Sequence, residues 1–139
     1  MCKLFSGHGP VSFSADGNFI AFGSNGNIMV VEMESDRIVL TTELNGESCA
    51  LSEKGDWLAA AERESIEVWN ARTREYVESI NRDKKCIIHA GSADGRFLLV
   101  SDYLAATIIE FPTGRTRLTL ECGKKIAFLV WLVILLNFL

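Results

Sequence analysis

The stretch SADGNFI at residues 14–20 decides the fold of this chain, because the sequence contains it three times in closely related form. It returns as SEKGDWL at residues 52–58 and as SADGRFL at residues 92–98. The three glycines, which are 38 and then 40 positions apart, are Gly17, Gly55 and Gly95. Self-similarity with a period of about 40 residues is typical of stacked repeat architectures. The sequence therefore predicts a fold built from repeated units.

Composition limits the classes of function that are open. The 139 residues are 48% hydrophobic with only 2 prolines, which fits one packed globular body and argues against disorder. The net charge of −4 provides no attraction to nucleic acid, so no nucleic-acid partner is expected. The 4 cysteines form no C-x-x-C pair, so the sequence predicts no metal site, and it shows no cofactor motif. With no apolar secretory segment after Met1, we expect a cytoplasmic protein with reduced thiols.

Four short runs rich in Val, Ile, Phe and Trp follow one another in each repeat, separated by Gly, Asn, Asp and Ser. This pattern predicts strands joined by tight turns. The predicted strands cover residues 11–14, 19–24, 27–33 and 38–44, then 49–52, 57–62, 65–69 and 76–80, and finally 86–90, 97–101, 107–111 and 117–121. Short connections require neighbouring strands to pair antiparallel. Because each sheet is apolar on both faces, we expect the sheets to stack face to face as blades.

Two motifs give the repeats a family resemblance. Ser-x-Asp-Gly occupies the first turn, and fourteen residues after each glycine an apolar residue precedes a polar one, most clearly at Trp69-Asn70. Over about residues 7–121 the repeats resemble those of WD40-type β-propellers, although Val31-Glu32 and Ile109-Glu110 depart from the Trp-Asp pair of that family. No Gly-His precedes Gly55 or Gly95, so the hydrogen-bond network of His, Asp, Ser/Thr and Trp that the family uses is largely absent.

The resemblance implies an all-β fold, a partial β-propeller of about three four-stranded antiparallel blades. We expect a repeat region at residues 1–121, with blades at about residues 7–44, 45–81 and 82–121. The residues expected to carry the repeat structure are Gly17, Gly55, Gly95, Trp57 and Trp69. Propellers have about four to eight blades, so three blades leave two apolar outer faces. We therefore expect either part of a larger propeller protein, completed by the missing blades, or self-association.

Residues 122–139 form a different kind of sequence. Thirteen of the fourteen residues from Ile126 to Leu139 are apolar. As a helix this stretch would span about 21 Å, against about 30 Å for the core of a bilayer. A C-terminal membrane anchor is one interpretation, and a splice-derived or out-of-frame end that replaced the next blade is a second. A hydrophobic helix or strand that covers the open propeller face is a third. The predicted fold class includes a short hydrophobic helix here.

The sequence shows no catalytic motif, so no catalytic residue is predicted. His8 has no partner nearby in sequence, and His89 lies in an apolar strand. The resemblance implies that loops joining second to third strands share one rim with the loops joining successive blades, and that this rim docks peptides or partner domains. The candidate partner-binding residues on it are Asn25, Arg63, Glu64, Arg82, Lys84, Asp102 and Tyr103. Tyr and Arg are favoured at interfaces, so Arg63 and Tyr103 are the best anchors. The alternative is that these are simply polar loops.

The sequence therefore favours a non-catalytic protein–protein interaction module, as part of a scaffold or signalling protein. One alternative is the same module tethered to a membrane by the C-terminal tail, and hence membrane-associated. Another is a propeller enzyme or cofactor-binding propeller. That function would require titratable groups on the innermost strands, at residues 11–14, 49–52 and 86–90, where the sequence offers few.

Overall fold

The repeats form strands, as their residue pattern predicts. The computed structural model describes residues 9–82, 84–92, 96–102, 105–111 and 113–121. Within these ranges there are twelve strands. In chain order they are β1 (Val11–Phe13), β2 (Phe19–Ser24), β3 (Asn27–Glu32), β4 (Arg37–Thr42), β5 (Ser48–Leu51), β6 (Trp57–Glu62), β7 (Ser65–Asn70), β8 (Glu75–Asn81), β9 (Ile87–Gly91), β10 (Phe97–Ser101), β11 (Ala105–Glu110) and β12 (Thr116–Glu121). Across the described ranges, no helix is long and apolar enough to cross a membrane. The predicted C-terminal helix lies outside those ranges.

Each repeat folds into one four-stranded antiparallel sheet whose strand order follows the chain. We call the sheets β1–β4, β5–β8 and β9–β12 blade 1, blade 2 and blade 3. The prediction of an all-β fold with three four-stranded antiparallel blades is therefore confirmed. Strand ends differ from the predicted ones by one or two residues. Cys86, predicted to begin a strand, instead lies in the connection from blade 2, because its N–H donates to the Arg63 carbonyl at 3.1 Å.

All three blades share a register shift at the same place in the third strand. The shift falls between Val30 and Val31, between Val68 and Trp69, and between Ile108 and Ile109. These pairs stand thirteen and fourteen residues after each repeat glycine. Such an irregularity increases the local twist of the sheet. The blades therefore share a detail of shape as well as a strand count.

The serine that begins each repeated stretch closes the turn into the second strand. In every repeat its hydroxyl oxygen accepts a hydrogen bond from the backbone N–H five residues later, at 3.0 Å. The pairs are Ser14 with Phe19, Ser52 with Trp57, and Ser92 with Phe97. Gly17 and Gly55 then supply φ values of 76° and 73°, which disfavour residues with a side chain. Gly95 lies outside the described residues. The repeated motif is thus a hydrogen-bonded turn.

The hydrophobic core lies between the blades. One buried cluster fills the space between blades 1 and 2, and a second fills the space between blades 2 and 3. Trp69 packs against the first cluster and Trp57 against the second, so these two predicted structural residues lie on opposite faces of blade 2. Phe19 of blade 1 also packs against the first cluster. It lies over the β5–β6 turn of blade 2, because a Cβ added to Gly55 in that turn would lie 2.6 Å from Phe19 Cγ. Glycine is therefore required there for packing as well as for backbone conformation.

Hydrogen bonds connect the first strands of successive blades. Strand β5 lies between β1 and β9. The Ser12 hydroxyl accepts from the Leu51 N–H at 3.2 Å, and the Ser48 hydroxyl accepts from the Ile88 N–H at 2.8 Å. The second of these bonds is fully buried. The three first strands therefore form the inner edge of a stack held by both apolar packing and hydrogen bonds.

Candidate functional site

The first part of the predicted rim lies where β2 turns into β3. Asn25 and Gly26 form the loop with φ values of 52° and 79°, the positive values that two-residue hairpin turns require. A cavity of about 150 Å³ joins this loop to Gly9-Pro10 and to Asn45-Gly46 in the connection between blades 1 and 2. A Cβ added to Gly46 would lie 2.7 Å from the Ile28 side chain, so this connection is packed tightly onto blade 1. Asn25 therefore lies beside an interblade connection.

The corresponding loop of blade 2 is bonded to the next connection through its backbone. The Glu64 carbonyl accepts from the Arg82 N–H at 2.6 Å, and the Arg63 carbonyl accepts from the Cys86 N–H at 3.1 Å. Arg63, which has a φ of 54°, and Glu64 both have exposed side chains. Lys84 is also exposed. The structure therefore brings these four predicted partner-binding residues onto one surface.

An ion pair joins the two interblade connections. Lys85 Nζ lies 3.1 Å from a carboxylate oxygen of Glu47, and the Glu47 N–H donates to the Ala61 carbonyl at 2.9 Å. Both charged side chains are about half exposed, so the pair contributes at most about 1 kcal/mol to stability. It nevertheless places residues of the two connections side by side. We call residues 25–26, 45–47, 63–64, 82, 84–85 and 102 together the loop rim.

Charges of the loop rim surround the buried thiol of Cys86. Burial raises the pKa of this thiol, Arg82 lowers it, and the nearby carboxylates of Asp102 and Glu47 raise it. Asp102 also closes its own loop, because its Oδ1 accepts from the Ala105 N–H at 3.0 Å. Asp102 and Arg82 therefore both act electrostatically on the Cys86 thiol. Tyr103 lies outside the described residues. Whether the predicted residues bind a partner stays a prediction.

The inner strands carry little reactive chemistry. His89 on β9 is exposed, its Nε2 lies 2.5 Å from the Ser101 hydroxyl, and desolvation lowers the pKa of its imidazole. The hydroxyl is a poor candidate nucleophile, because Ser101 is only 6% exposed. Burial raises the pKa of the Cys49 thiol to about 12, so this thiol stays protonated and unreactive. Nowhere in the part of the chain that the structure describes do three His, Cys, Asp or Glu side chains group so as to hold a metal.

A second concave surface, which the sequence interpretation missed, lies at the opposite end of blades 1 and 2. Its cavity of about 340 Å³ is bordered by the β5–β6 turn, the β7–β8 turn and the start of β4. The four cationic residues that line it are Arg37, Lys54, Arg72 and Arg74. We call this surface the basic groove. The four residues are spread over two repeats, so no local motif in the sequence indicates that they lie together.

Comparisons with known proteins give the fold. No family model matches the sequence, and no curated protein matches it. Solved structures do match. Hydrazine synthase of Kuenenia stuttgartiensis is 16% identical with a TM-score of 0.67, over 87% of this chain and 38% of that one. U3-55K and the RRP9 WD40 repeats are each 14% identical with a TM-score of 0.64, over 87% of this chain and 42% and 41% of theirs.

These likenesses show the fold alone, because the identities are low. The three blades have the fold of a WD40-type β-propeller, which confirms the predicted resemblance. The chain spans about two fifths of the length of each of these structures.

Proposed function

We propose that this chain, three blades with a WD40-type propeller fold, is a non-catalytic protein-binding module that uses the loop rim. The observation that carries this proposal is the pair of backbone hydrogen bonds that fix Arg63 and Glu64 to the connection between blades 2 and 3. Binding costs less conformational entropy when the loops are already held in place. The loop rim therefore presents exposed charged side chains on an ordered backbone, as a docking surface for a protein requires.

Comparing two variants with equal charge tests this proposal. Arg63→Glu combined with Lys84→Glu alters the loop rim, while Arg115→Glu combined with Arg117→Glu alters exposed residues of blade 3 by the same amount. Proteins captured by the tagged full chain would be quantified by mass spectrometry. The affinity of each purified candidate for the wild type and for both variants would then be measured. We expect at least one partner whose affinity falls about tenfold or more with the loop-rim variant only. Partners that bind both variants like the wild type would contradict the proposal.

The outward face of blade 1 supports a second proposal, which concerns the kind of partner. Val11 and Phe13 are 61% and 59% exposed, and Met33 is 46% exposed. The residues at the same repeat positions in blade 2 are Cys49, Leu51 and Ala71, and all three are buried against blade 1. The outward face of blade 1 is therefore the counterpart of a surface that another blade covers. We infer that it packs against a further blade, supplied by a second copy of the chain or by another protein.

Light scattering after size-exclusion chromatography tests the second copy directly. We expect the wild-type chain to self-associate with increasing concentration. Phe13→Glu should yield a monomer, because it places a charge on the exposed apolar face. Tyr76→Glu, at a residue 54% exposed on blade 2, is the matched control and should leave the mass unchanged, because blades 1 and 3 already cover both faces of blade 2. A wild-type chain that stays monomeric throughout the concentration series would exclude self-association and leave only another protein as the source of the blade.

A further inference from the structure

The basic groove has an apolar floor and a cationic border. Phe19 and Val39 of blade 1 and Ala71 of blade 2 form the floor. Phe19 and Val39 are half-buried, so part of each side chain remains open to a ligand. All four cations of the border are exposed. The groove therefore offers both a surface for an apolar side chain and charges that attract an anion.

Only part of this positive charge is neutralised inside the groove. Glu32 pairs with Arg37 at 3.8 Å, and Asp56 pairs with Arg72. Within the described ranges, Lys54 and Arg74 have no carboxylate within ion-pair distance, although Lys54 acts on Asp16 through a weaker electrostatic interaction. Four cations and two carboxylates leave the groove with a local charge of +2, in a chain of net charge −4.

The turn that carries two of the cations is held in place by its own hydrogen bonds. Asn70 Oδ1 accepts from the Arg72 N–H at 3.0 Å and from the Thr73 N–H at 3.1 Å. Arg74 then adopts a left-handed conformation, with a φ of 63°. The backbone under Arg72 and Arg74 is therefore ordered before any ligand binds, which lowers the entropic cost of binding.

The basic charge is not a consequence of the blade fold, because the next pair of blades lacks it. Counting from the repeat glycines, the positions of Arg37, Lys54, Arg72 and Arg74 correspond in the next repeat to Glu75, Asp94, Pro112 and Gly114. All four positive charges are lost, and two are replaced by negative ones. At Gly114 the packing also differs, since an added Cβ would lie 2.8 Å from the Ile80 side chain. The four basic positions therefore belong to one pair of repeats and are absent from the next pair in the sequence.

We propose that the basic groove binds an extended acidic peptide segment of a partner protein. Carboxylates of the peptide pair with Lys54 and Arg74, and an apolar side chain between them packs on Phe19 and Val39. The local charge of +2 matches two carboxylates, whereas the net charge of −4 opposes a long polyanion such as nucleic acid. This surface lies at the opposite end of the blades from the loop rim, so the proposal goes beyond the proposed function and does not depend on it.

Fluorescence anisotropy with the full chain tests the proposal. The probe is a fluorescein-labelled peptide, GGEFEGG in one-letter code, and the control probe is its uncharged analogue GGQFQGG. We expect the acidic peptide to bind. The affinity of the uncharged peptide should be lower by about tenfold or more. The groove variant is Lys54→Glu with Arg74→Glu, and the control variant is Arg115→Glu with Arg117→Glu. Because both variants have the same net charge of −8 (−4 minus 4), nonspecific electrostatics affects them equally.

The groove variant should lose about tenfold or more in affinity for the acidic peptide, while the control variant should bind like the wild type. If the groove variant fails to fold by circular dichroism, Lys54→Gln with Arg74→Gln replaces it, and the same loss is expected. Equal loss in both variants, or no binding of the acidic peptide to the wild type, would overturn the proposal. Tighter binding of a twelve-nucleotide single-stranded DNA than of the peptide would also overturn it.

Discussion

The contact between Phe19 and Gly55 can be tested by replacing, each with alanine, two glycines that share a backbone conformation but differ in what surrounds them. Gly17 and Gly55 occupy the same place in successive repeats and have φ values of 76° and 73°. Around Gly17 an added Cβ would have no atom within 4 Å, whereas at Gly55 it would lie 2.6 Å from Phe19 Cγ. Gly17→Ala therefore introduces backbone strain alone, and Gly55→Ala adds a clash between blades 1 and 2.

The expected magnitudes follow from these two terms. A left-handed conformation costs a residue with a side chain about 1–2 kcal/mol, so Gly17→Ala should lower the free energy of unfolding by that amount. Overpacking costs a further 1–3 kcal/mol, roughly, so Gly55→Ala should lower it by about 2–5 kcal/mol. In a Phe19→Ala background the clash with the ring is removed. There Gly55→Ala should cost only about 1–2 kcal/mol, which corresponds to a coupling energy of about 1–3 kcal/mol.

Equilibrium unfolding in urea, followed by circular dichroism and by tryptophan fluorescence, measures the free energy of unfolding of the wild type, the three single variants and the double variant. Agreement between the two signals establishes that the transition is two-state, as the comparison requires. Two results would refute this reasoning: equal losses of stability in Gly17→Ala and Gly55→Ala, or a cost of Gly55→Ala that Phe19→Ala leaves unchanged. Either result would mean that Phe19 does not pack on this turn and that blade 1 does not pack on blade 2 as described.

Three further predictions concern a buried hydrogen bond, a thiol and a carboxyl group. Ser48→Ala leaves the buried Ile88 N–H without its acceptor and should lower the free energy of unfolding by about 1–3 kcal/mol in urea. Cys49, whose pKa burial raises to about 12, should react with a maleimide at pH 7.5 only as fast as the protein unfolds, read by mass spectrometry after proteolysis. The pKa of Asp16 is lowered, chiefly by its hydrogen bond with Ser14, so its contribution to stability is complete above about pH 3.8 and is lost as the pH falls through the lower folded-state value.

Each of these predictions has its own control. Ser79→Ala removes a hydroxyl from an exposed strand position and should change the free energy of unfolding far less than Ser48→Ala. Addition of urea above the transition should make Cys49 react as fast as a free thiol, and equal reactivity in the folded protein would contradict its burial. In Asp16→Asn the group no longer titrates, so the difference in stability between wild type and variant should shrink as the pH falls below 3.8. A constant difference would show that the Ser14 hydrogen bond does not lower the pKa.

The strand and turn structure of this protein is determined by the sequence over short distances. The hydrogen bond from the Phe97 N–H to the Ser92 hydroxyl joins residues only five positions apart, and the same bond forms in all three repeats. Alternating apolar runs and the turn glycines then place the strands to within two residues. Such contacts depend on residues that are neighbours in the chain, so three similar stretches are enough to predict three similar blades.

Contacts between blades could not be predicted in the same way. Nothing in the repeats indicates that Phe19 lies over Gly55, or that Ser48 accepts from Ile88 forty positions away. For the same reason the loop rim could be placed only from the family resemblance, and the basic groove was missed. Arg37 and Arg74 belong to different repeats, and they line one groove only because blade 1 packs on blade 2 in one particular register. The sequence by itself determined the blades, and the packing of one sheet on the next decided which charges share a surface.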